Sequence, residues 1–105
     1  MKRIGYVKAK TPEQIEAQAK NLLFFGASDI IIEDGSALRD LIDNGLRRGD
    51  KLHVTGLDRL SRDVTEVVQI LEELYRRGVR LYVGGVKYDL EAFVRGSELI
   101  DSLSK

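Results

Sequence analysis

Short apolar runs alternate with longer amphipathic stretches along the whole chain. The runs that predict strands lie at residues 3–8, 30–32, 52–55 and 79–83, and a short fifth strand is indicated at 86–88. Runs of this length, rich in β-branched residues, are typical of buried strands. Between them, apolar residues recur three and four positions apart, which is the spacing of one helix face.

Residues that start and stop helices bound the first amphipathic stretch. Thr11 is suited to cap a helix, Pro12 to occupy its first position and Gln14 to close a capping box. Gly26 then ends the helix. Local chemistry and hydrophobic spacing therefore predict the same element.

The remaining helices are bounded in the same way. A second helix covers residues 38–46, and a third is bounded by the capping pair Asp63 and Glu66 and by Gly78. A last helix begins at residues 89–90. Strands that alternate with helices predict an α/β fold, with a mostly parallel sheet of four to five strands flanked by helices.

Composition limits the class of protein. The 105 residues suffice for one domain, and no linker or low-complexity tract divides them. No apolar run approaches the ~20 residues that span a bilayer. The chain has no cysteine and one histidine, so we expect no metal and no cofactor. These features favour a cytoplasmic protein that does not associate with membranes.

The charges balance, with 17 lysines and arginines against 17 aspartates and glutamates. The molecule as a whole therefore has no long-range attraction to DNA. Contact with nucleic acid requires a local cluster of cations, because several are needed to neutralise phosphates.

The stretch Gly56–Asp63 contains such a cluster. It follows a strand and is predicted to open a helix, so that Arg59 and Arg62 project from one side of the first turn. This end of the helix also offers unpaired N–H groups and the positive pole of the helix dipole. Together these groups favour an anion, most naturally a phosphate. A solvated loop is the alternative for an isolated pair of arginines.

Three side chains at the end of the first strand are predicted to lie near the same two arginines. Tyr6, Lys8 and Lys10 alternate along the chain and therefore line one face. Ligands of open parallel sheets lie beyond the carboxyl ends of the strands. With Arg59 and Arg62, these residues predict an anion-binding crevice with four cations and a phenol. A core tyrosine beside solvated lysines is the alternative.

Two segments carry recognisable motifs. Residues 4–11 read I-G-Y-V-K-A-K-T, and residues 48–62 read R-G-D-K-L-H-V-T-G-L-D-R-L-S-R. They resemble the Y-x-R-V-S-T opening and the G-D-x-L-x-V-x-x-L-D-R-L-x-R signature of the serine recombinases, the resolvases and DNA invertases. The resemblance runs from about residue 3 to residue 90, and it implies a three-layer, resolvase-like catalytic domain.

The resemblance also implies a chemistry. Members of this family cut DNA through a serine of the opening motif, which attacks a phosphate and forms a phosphoserine link. Arginines stabilise the charge that develops on the phosphoryl oxygens. By position, Asp58, Arg59 and Arg62 match family active-site residues, and Tyr6 matches the tyrosine of the opening motif.

The chain departs from the family pattern at several positions. Lys10 stands where the family has its nucleophilic serine, and an ammonium at neutral pH has no lone pair for attack. Lys8 replaces the arginine of the motif, which puts a point charge in place of a bidentate fork. Residues 34–41 form a shorter segment than the family's loop, and Arg39 is its nearest arginine. The chain ends at Lys105, where the family continues, so we expect no C-terminal helix-turn-helix domain.

Other candidate catalytic residues have ordinary structural explanations. Thr11 could replace the serine as nucleophile, but it is predicted to cap a helix and to face away from Lys10. Ser61 lies in the loop between the arginines. His53 alternates with apolar neighbours and is expected to be packed.

The sequence therefore predicts a recombinase-like domain without strand-transfer activity, acting by dimerisation or partner binding in DNA recombination or its regulation. Two alternatives remain open: an active fragment that works with a separate DNA-binding part, and a phosphate- or nucleotide-binding module. The expected partners are a second copy of the chain and DNA or a recombination-related protein. The homodimer is favoured by apolar residues on the last helix: Phe93, Val94, Ile100 and Leu103.

Overall fold

The computed structural model describes the backbone of residues 1–103 and the side chains of residues 1–96. It contains five strands: β1 (Arg3–Val7), β2 (Asp29–Ile32), β3 (Lys51–Val54), β4 (Arg80–Val83) and β5 (Val86–Tyr88). Four α-helices accompany them: α1 (Pro12–Phe24), α2 (Ala37–Asp40), α3 (Val64–Arg77) and α4 (Leu90–Leu103). In this part of the chain, no helix is long and apolar enough to cross a bilayer.

The strands form one sheet in the order β2-β1-β3-β4-β5. The first four are parallel, and β5 pairs with β4 in the antiparallel sense. Both residues of the turn between them, Gly84 and Gly85, have positive φ, which is the geometry of a tight hairpin. The predicted α/β class and mostly parallel sheet are confirmed.

Helices cover the two faces of the sheet unequally. The larger core lies on the face covered by α2, α3 and α4, and it includes Leu52, Leu74 and Leu81, all fully buried. A smaller core around Val7 and Leu22 lies under α1 on the other face, over β1 and β2. This arrangement has three layers, and it leaves the carboxyl ends of β1 and β3 open to the loops that follow them.

The predicted helix caps Thr11 and Asp63 form, but neither predicted capping pair closes, because the Asp63 amide bonds the Ser61 hydroxyl and not Glu66. The Thr11 hydroxyl accepts a hydrogen bond from the Gln14 amide at 3.2 Å, but the Gln14 side chain bonds the Lys10 amide rather than that of Thr11. Asp63 caps α3 by accepting from the Thr65 amide at 2.9 Å. Gly78 ends α3 in the left-handed conformation, with φ of 72°.

The second helix is shorter than predicted. The α-helix ends at Asp40, and residues Leu41–Gly45 form a wider π-type turn closed by the Leu46 amide on the Leu41 carbonyl. The extra residue in this turn lets Leu41, Ile42 and Leu46 all be buried. Burial of these side chains explains the departure from regular helical spacing.

Candidate functional site

A crevice of about 440 Å³ lies beyond the carboxyl end of β1. Five of the six residues predicted for the site line it: Lys8, Lys10, Asp58, Arg59 and Arg62. The remaining lining residues are Ala9, Gln14 and Glu33. The structure thus brings together the end of the first strand and the loop that follows the third.

Tyr6 lies outside this crevice. Its side chain is 1% exposed and contributes to the larger core, and it lines a neighbouring cavity of about 300 Å³. Glu33 and Lys8 border both cavities. Tyr6 therefore supports the wall of the crevice from behind and does not enter it.

The loop that carries the arginines differs from the prediction. Residues Leu57–Arg59 form a 3₁₀ turn and α3 begins only at Val64, so the arginines do not lie on a first α-helical turn. The amides of Arg59 and Leu60 are bonded to the carbonyls of Gly56 and Leu57, at 3.1 and 3.0 Å. Arg59 and Leu60 therefore do not offer the unpaired N–H groups that the sequence predicts beside the arginines, because burial of Leu60 draws this loop into the core and closes a turn.

The arginine loop is attached to the end of β1. Arg59 donates from Nη1 to the Lys8 carbonyl at 3.5 Å, and Gln18 donates to the same carbonyl at 3.2 Å. These bonds fix the backbone at Lys8 while its side chain stays exposed. The lysine and arginine side chains therefore project from segments that are tied to each other.

The electrostatic character of the crevice is positive. Among residues 1–96, the ion pairs involve the cations Lys20, Arg39, Arg77 and Arg95. None of the four crevice cations is among them. Asp58 and Glu33 are the acidic groups of the lining, so cations outnumber them by two. Such a site favours an anion with more than one negative oxygen.

Glu33 is the residue that sequence reasoning missed. Its carboxylate accepts from the Tyr6 hydroxyl at 2.5 Å and from three amides of the following loop, at 2.6 Å (Gly35), 3.1 Å (Leu38) and 3.2 Å (Ala37). The sequence signal was an acidic residue placed after the apolar run 30–32 and before a Gly-Ser turn that starts a helix. That run is predicted as a buried strand, but β2 forms the edge of the sheet and Ile32 is 47% exposed. A carboxylate at that position can cap the helix.

The two partners shift each other's protonation. Burial raises the pKa of Tyr6 well above its ordinary value, and the hydrogen bond to Glu33 and the nearby acidic charges raise it further. Burial also tends to raise the pKa of Glu33, but the hydrogen bonds from Tyr6 and from the loop amides outweigh it and lower the pKa. The pair is therefore a neutral phenol and a carboxylate near neutral pH.

Arg39 does not reach the crevice. Its guanidinium bonds Asp43 and Glu73, and its side chain lines the cavity behind Tyr6. Arg39, the nearest arginine of the shortened segment, thus forms its ion pairs on the face of the sheet that α2 and α3 cover. Sequence alone could not place it, because its partner Glu73 is distant along the chain.

No serine, threonine or tyrosine lines the crevice among the described residues. The Thr11 hydroxyl is engaged in the cap of α1. Ser61 is buried, and its hydroxyl accepts from the Asp63 amide at 3.0 Å. The crevice therefore presents cations and carboxylates but no hydroxyl.

His53 is packed in the sheet, away from the crevice. It is 3% exposed and stacks on Tyr82 with ring centroids 4.8 Å apart. Burial lowers its pKa, and the charges of Lys51 and Arg3 lower it further. His53 is therefore neutral near pH 7 and does not line the crevice. It has no part in the chemistry of that site.

Comparison with known proteins identifies the class of domain. Residues 4–96 match the family described as "Resolvase, N terminal domain". A DNA-invertase of Enterobacteria phage P7 is 37% identical over 83 residues, covering 72% of this chain and 45% of the relative. DNA-invertase hin of Salmonella typhimurium is 34% identical over 89 residues, covering 78% and 47%. The probable DNA-invertase y4cG of Sinorhizobium fredii is 37% identical over 84 residues, covering 72% and 27%. The chain spans less than half the length of these curated relatives.

Proposed function

The chain belongs to the serine recombinase family through its resolvase N-terminal domain, and we propose that this domain takes part in DNA recombination without forming a covalent link to DNA. Its role is to hold a DNA backbone phosphate and to associate with a partner. Strand transfer is left to other molecules.

The observation that carries this proposal is the content of the crevice, which holds four cations and no hydroxyl among the described residues. Formation of a phosphoserine link needs an oxygen nucleophile that attacks phosphorus while the sugar oxygen leaves. The side chain nearest the family's nucleophile position is that of Lys10, whose ammonium has no lone pair. Charge can therefore be stabilised in the crevice, but no covalent ester can form there.

The same cations support phosphate binding. Arg59 and Arg62 can donate in a fork geometry to phosphoryl oxygens, and Lys8 and Lys10 add point charges in the same crevice. None of the four has a carboxylate partner within residues 1–96, so binding need not break an ion pair. A phosphate of the DNA backbone is the ligand that fits this arrangement.

Two hydroxyls outside the crevice are unsuitable substitutes. Thr11 is committed to the α1 cap. The Tyr6 hydroxyl donates a hydrogen bond to Glu33, and its raised pKa disfavours the phenolate that would attack. The alternative of an active fragment therefore has weaker support than a non-catalytic role.

Covalent trapping tests the proposal directly. The protein is incubated with supercoiled DNA, quenched with denaturant and examined for a protein–DNA adduct. We expect none. An adduct would refute the proposal, and its loss in Thr11→Ala but not in Ser28→Ala, an exposed hydroxyl elsewhere, would identify Thr11 as the nucleophile.

The Lys10→Ser variant extends this test. We expect it to remain inactive, because Lys8 still replaces an arginine and Arg39 is held by Asp43 and Glu73. Lys20→Ser, at an exposed lysine paired with Glu16, is the matched control. Strand cleavage by Lys10→Ser would show that the missing hydroxyl is the sole defect.

A homodimer is the assembly we propose. An apolar groove of about 480 Å³ lies between α3 and the start of α4, lined by Val64, Val67, Val68 and Phe93 among others. Val64 is 77% exposed. Phe93 and Val94 are half-buried, whereas the side chains of Ile100 and Leu103 lie outside the described residues. A second copy that covers this groove would bury the exposed valine.

Sedimentation equilibrium tests the dimer. Val64→Lys should shift the protein toward monomer, because a charge would be buried at the contact. Val86→Lys, at a 70% exposed valine outside the groove, should not. A wild-type protein that stays monomeric at high concentration would rule out the dimer.

A second candidate function is binding of a small phosphate or nucleotide, favoured by the crevice volume of about 440 Å³, which suits such a ligand. Calorimetry with phosphate, sulfate and nucleotides at low and high salt distinguishes it from DNA binding. Tight binding of a free nucleotide, lost in Arg59→Gln, would favour this candidate. No heat at millimolar ligand would exclude it.

A further inference from the structure

A second basic surface lies at the opposite end of the sheet from the crevice. It is a groove of about 810 Å³ beside the amino ends of β3 and β4. Four cations line it: Arg48, Arg76, Arg80 and Lys87. We refer to it as the basic groove. It shares no lining residue with the crevice.

The acidic residues of the basic groove are already engaged. Asp89 accepts from the Ala92 amide at 3.0 Å, which caps α4. Glu91 pairs with Arg95 at 2.6 Å and, within residues 1–96, with none of the four cations. Within residues 1–96 none of the four cations forms an ion pair, so the groove carries a net positive charge that the protein itself does not neutralise.

Two neighbouring arginines in the last turn of α3 differ in their ion pairs. Arg77 lies next to Asp43 and Glu73, at 3.8 Å from each. Its neighbour Arg76 projects into the basic groove and has no such partner in the described part of the chain. Asp43 and Glu73 thus contact Arg77 and not Arg76.

The backbone holds two of the arginines close together. The Gly49 amide donates to the Gly78 carbonyl at 2.9 Å, and the Arg80 amide donates to the Asp50 carbonyl at 2.9 Å. The Arg48 side chain lies across Gly78, where a Cβ would approach its guanidinium to within 2.8 Å. Arg48 is thereby held against the turn that ends α3, which lowers the entropy lost when a ligand orders it.

From this arrangement we infer that the basic groove binds phosphate groups of a polyanion. Three arginines and a lysine match phosphate oxygens, since guanidinium groups bind them in bidentate fashion. Tyr75 and Tyr88 also line the groove, and aromatic rings can stack on the bases carried by such phosphates. The phosphates belong either to a DNA backbone or to a free polyphosphate. The inference does not depend on the crevice.

Fluorescence anisotropy with a labelled DNA duplex of arbitrary sequence, and calorimetry with inorganic triphosphate, test this inference. The double variant Arg76→Gln/Arg80→Gln should weaken binding by roughly tenfold. For duplex DNA it should also reduce the salt slope by about 1 for each phosphate contact removed. The charge-matched control is Arg77→Gln/Lys20→Gln, which removes two cations outside the groove.

The pattern of loss distinguishes the sources. Weakened duplex binding alone identifies the DNA backbone as the ligand, and weakened triphosphate binding identifies a free polyphosphate. Equal losses in the control, or no binding of either probe at millimolar concentration, would overturn the inference. A covalent DNA adduct would refute the non-catalytic role proposed above while leaving this result unaffected.

Discussion

The Tyr6 hydroxyl and the Glu33 carboxylate are joined by a hydrogen bond of 2.5 Å. This bond links the buried core beneath β1 to the loop that starts α2, because the same carboxylate accepts from the amides of Gly35, Ala37 and Leu38. Glu33 also lines the crevice. This pair of a buried tyrosine and a half-buried glutamate therefore fixes both the loop and one wall of the candidate site.

Tyr6→Phe should lower the free energy of unfolding by about 1.5–3 kcal/mol, the usual contribution of a hydrogen bond to a charged group. Urea denaturation measures the loss. Tyr75→Phe is the control, because Tyr75 is exposed and its hydroxyl has no partner among the described residues, so its effect should stay within about 0.5 kcal/mol. Equal stability of the two variants would show that the Tyr6–Glu33 bond contributes nothing.

Glu33 should make stability depend on acid pH. Because hydrogen bonds hold its pKa below the 4.5 of an ordinary glutamate, the unfolded chain takes up the proton first as pH falls. The contribution of Glu33 is therefore complete above about pH 4.5 and is lost progressively below it. Glu33→Gln should be less stable than wild type at neutral pH, and the difference should shrink in acid.

Urea midpoints from neutral pH to about pH 3 test this dependence. Glu13→Gln serves as the control, because Glu13 is exposed and forms no side-chain hydrogen bond within residues 1–96. Its stability should stay within about 1 kcal/mol of the wild type at every pH, the most that an exposed carboxylate in a first helical turn contributes. A constant gap between wild type and Glu33→Gln would contradict the assigned role.

Local sequence features predicted most of the fold. The caps at Thr11 and Asp63 and the terminating Gly78 depend on neighbours a few residues away, so their chemistry is visible in the sequence. The meeting of the β1 end with the arginine loop also follows from parallel strand order. These features depend on local residue chemistry and on chain topology.

The remaining differences come from tertiary packing. Burial of Leu60 favours a 3₁₀ turn over an early start of α3, and the core around Ile42 favours the π-type turn. The role of Glu33 depends on Tyr6, which lies 27 residues away. Such contacts leave no periodic signal in the sequence, so neither helical spacing nor motif matching could reveal them.

His53 should make the fold less stable at mildly acid pH. Burial lowers its pKa below the ordinary 6.5, so the unfolded chain binds the proton first and stability falls as pH drops below about 6.5. Both ring nitrogens lack a hydrogen-bond partner in the described part of the chain. His53→Phe keeps a ring beside Tyr82 and removes these two polar atoms.

Thermal melts from about pH 8 to pH 5 test this prediction. The wild-type melting temperature should decline below about pH 6.5, whereas that of His53→Phe should stay level and be no lower at neutral pH. Since His53 is the chain's single histidine, no other side chain of that type contributes to the difference. An equal decline in the variant would assign the effect to other groups.

The hairpin between β4 and β5 should not tolerate a side chain at Gly85. Gly85 has φ of 83°, and a Cβ there would meet the Phe25 ring at the end of α1. Gly85→Ala should therefore lower the free energy of unfolding by at least about 1 kcal/mol. Gly96→Ala is the control, since a Cβ there meets nothing within 4 Å and alanine favours the helix by up to about 1 kcal/mol.

The double variant Phe25→Ala/Gly85→Ala separates the two causes of the loss. It should recover the part of the lost stability that is due to the contact with the ring, and it should keep the part that is due to backbone strain. A Gly85→Ala protein as stable as Gly96→Ala would show that neither the ring contact nor the positive φ restricts this turn.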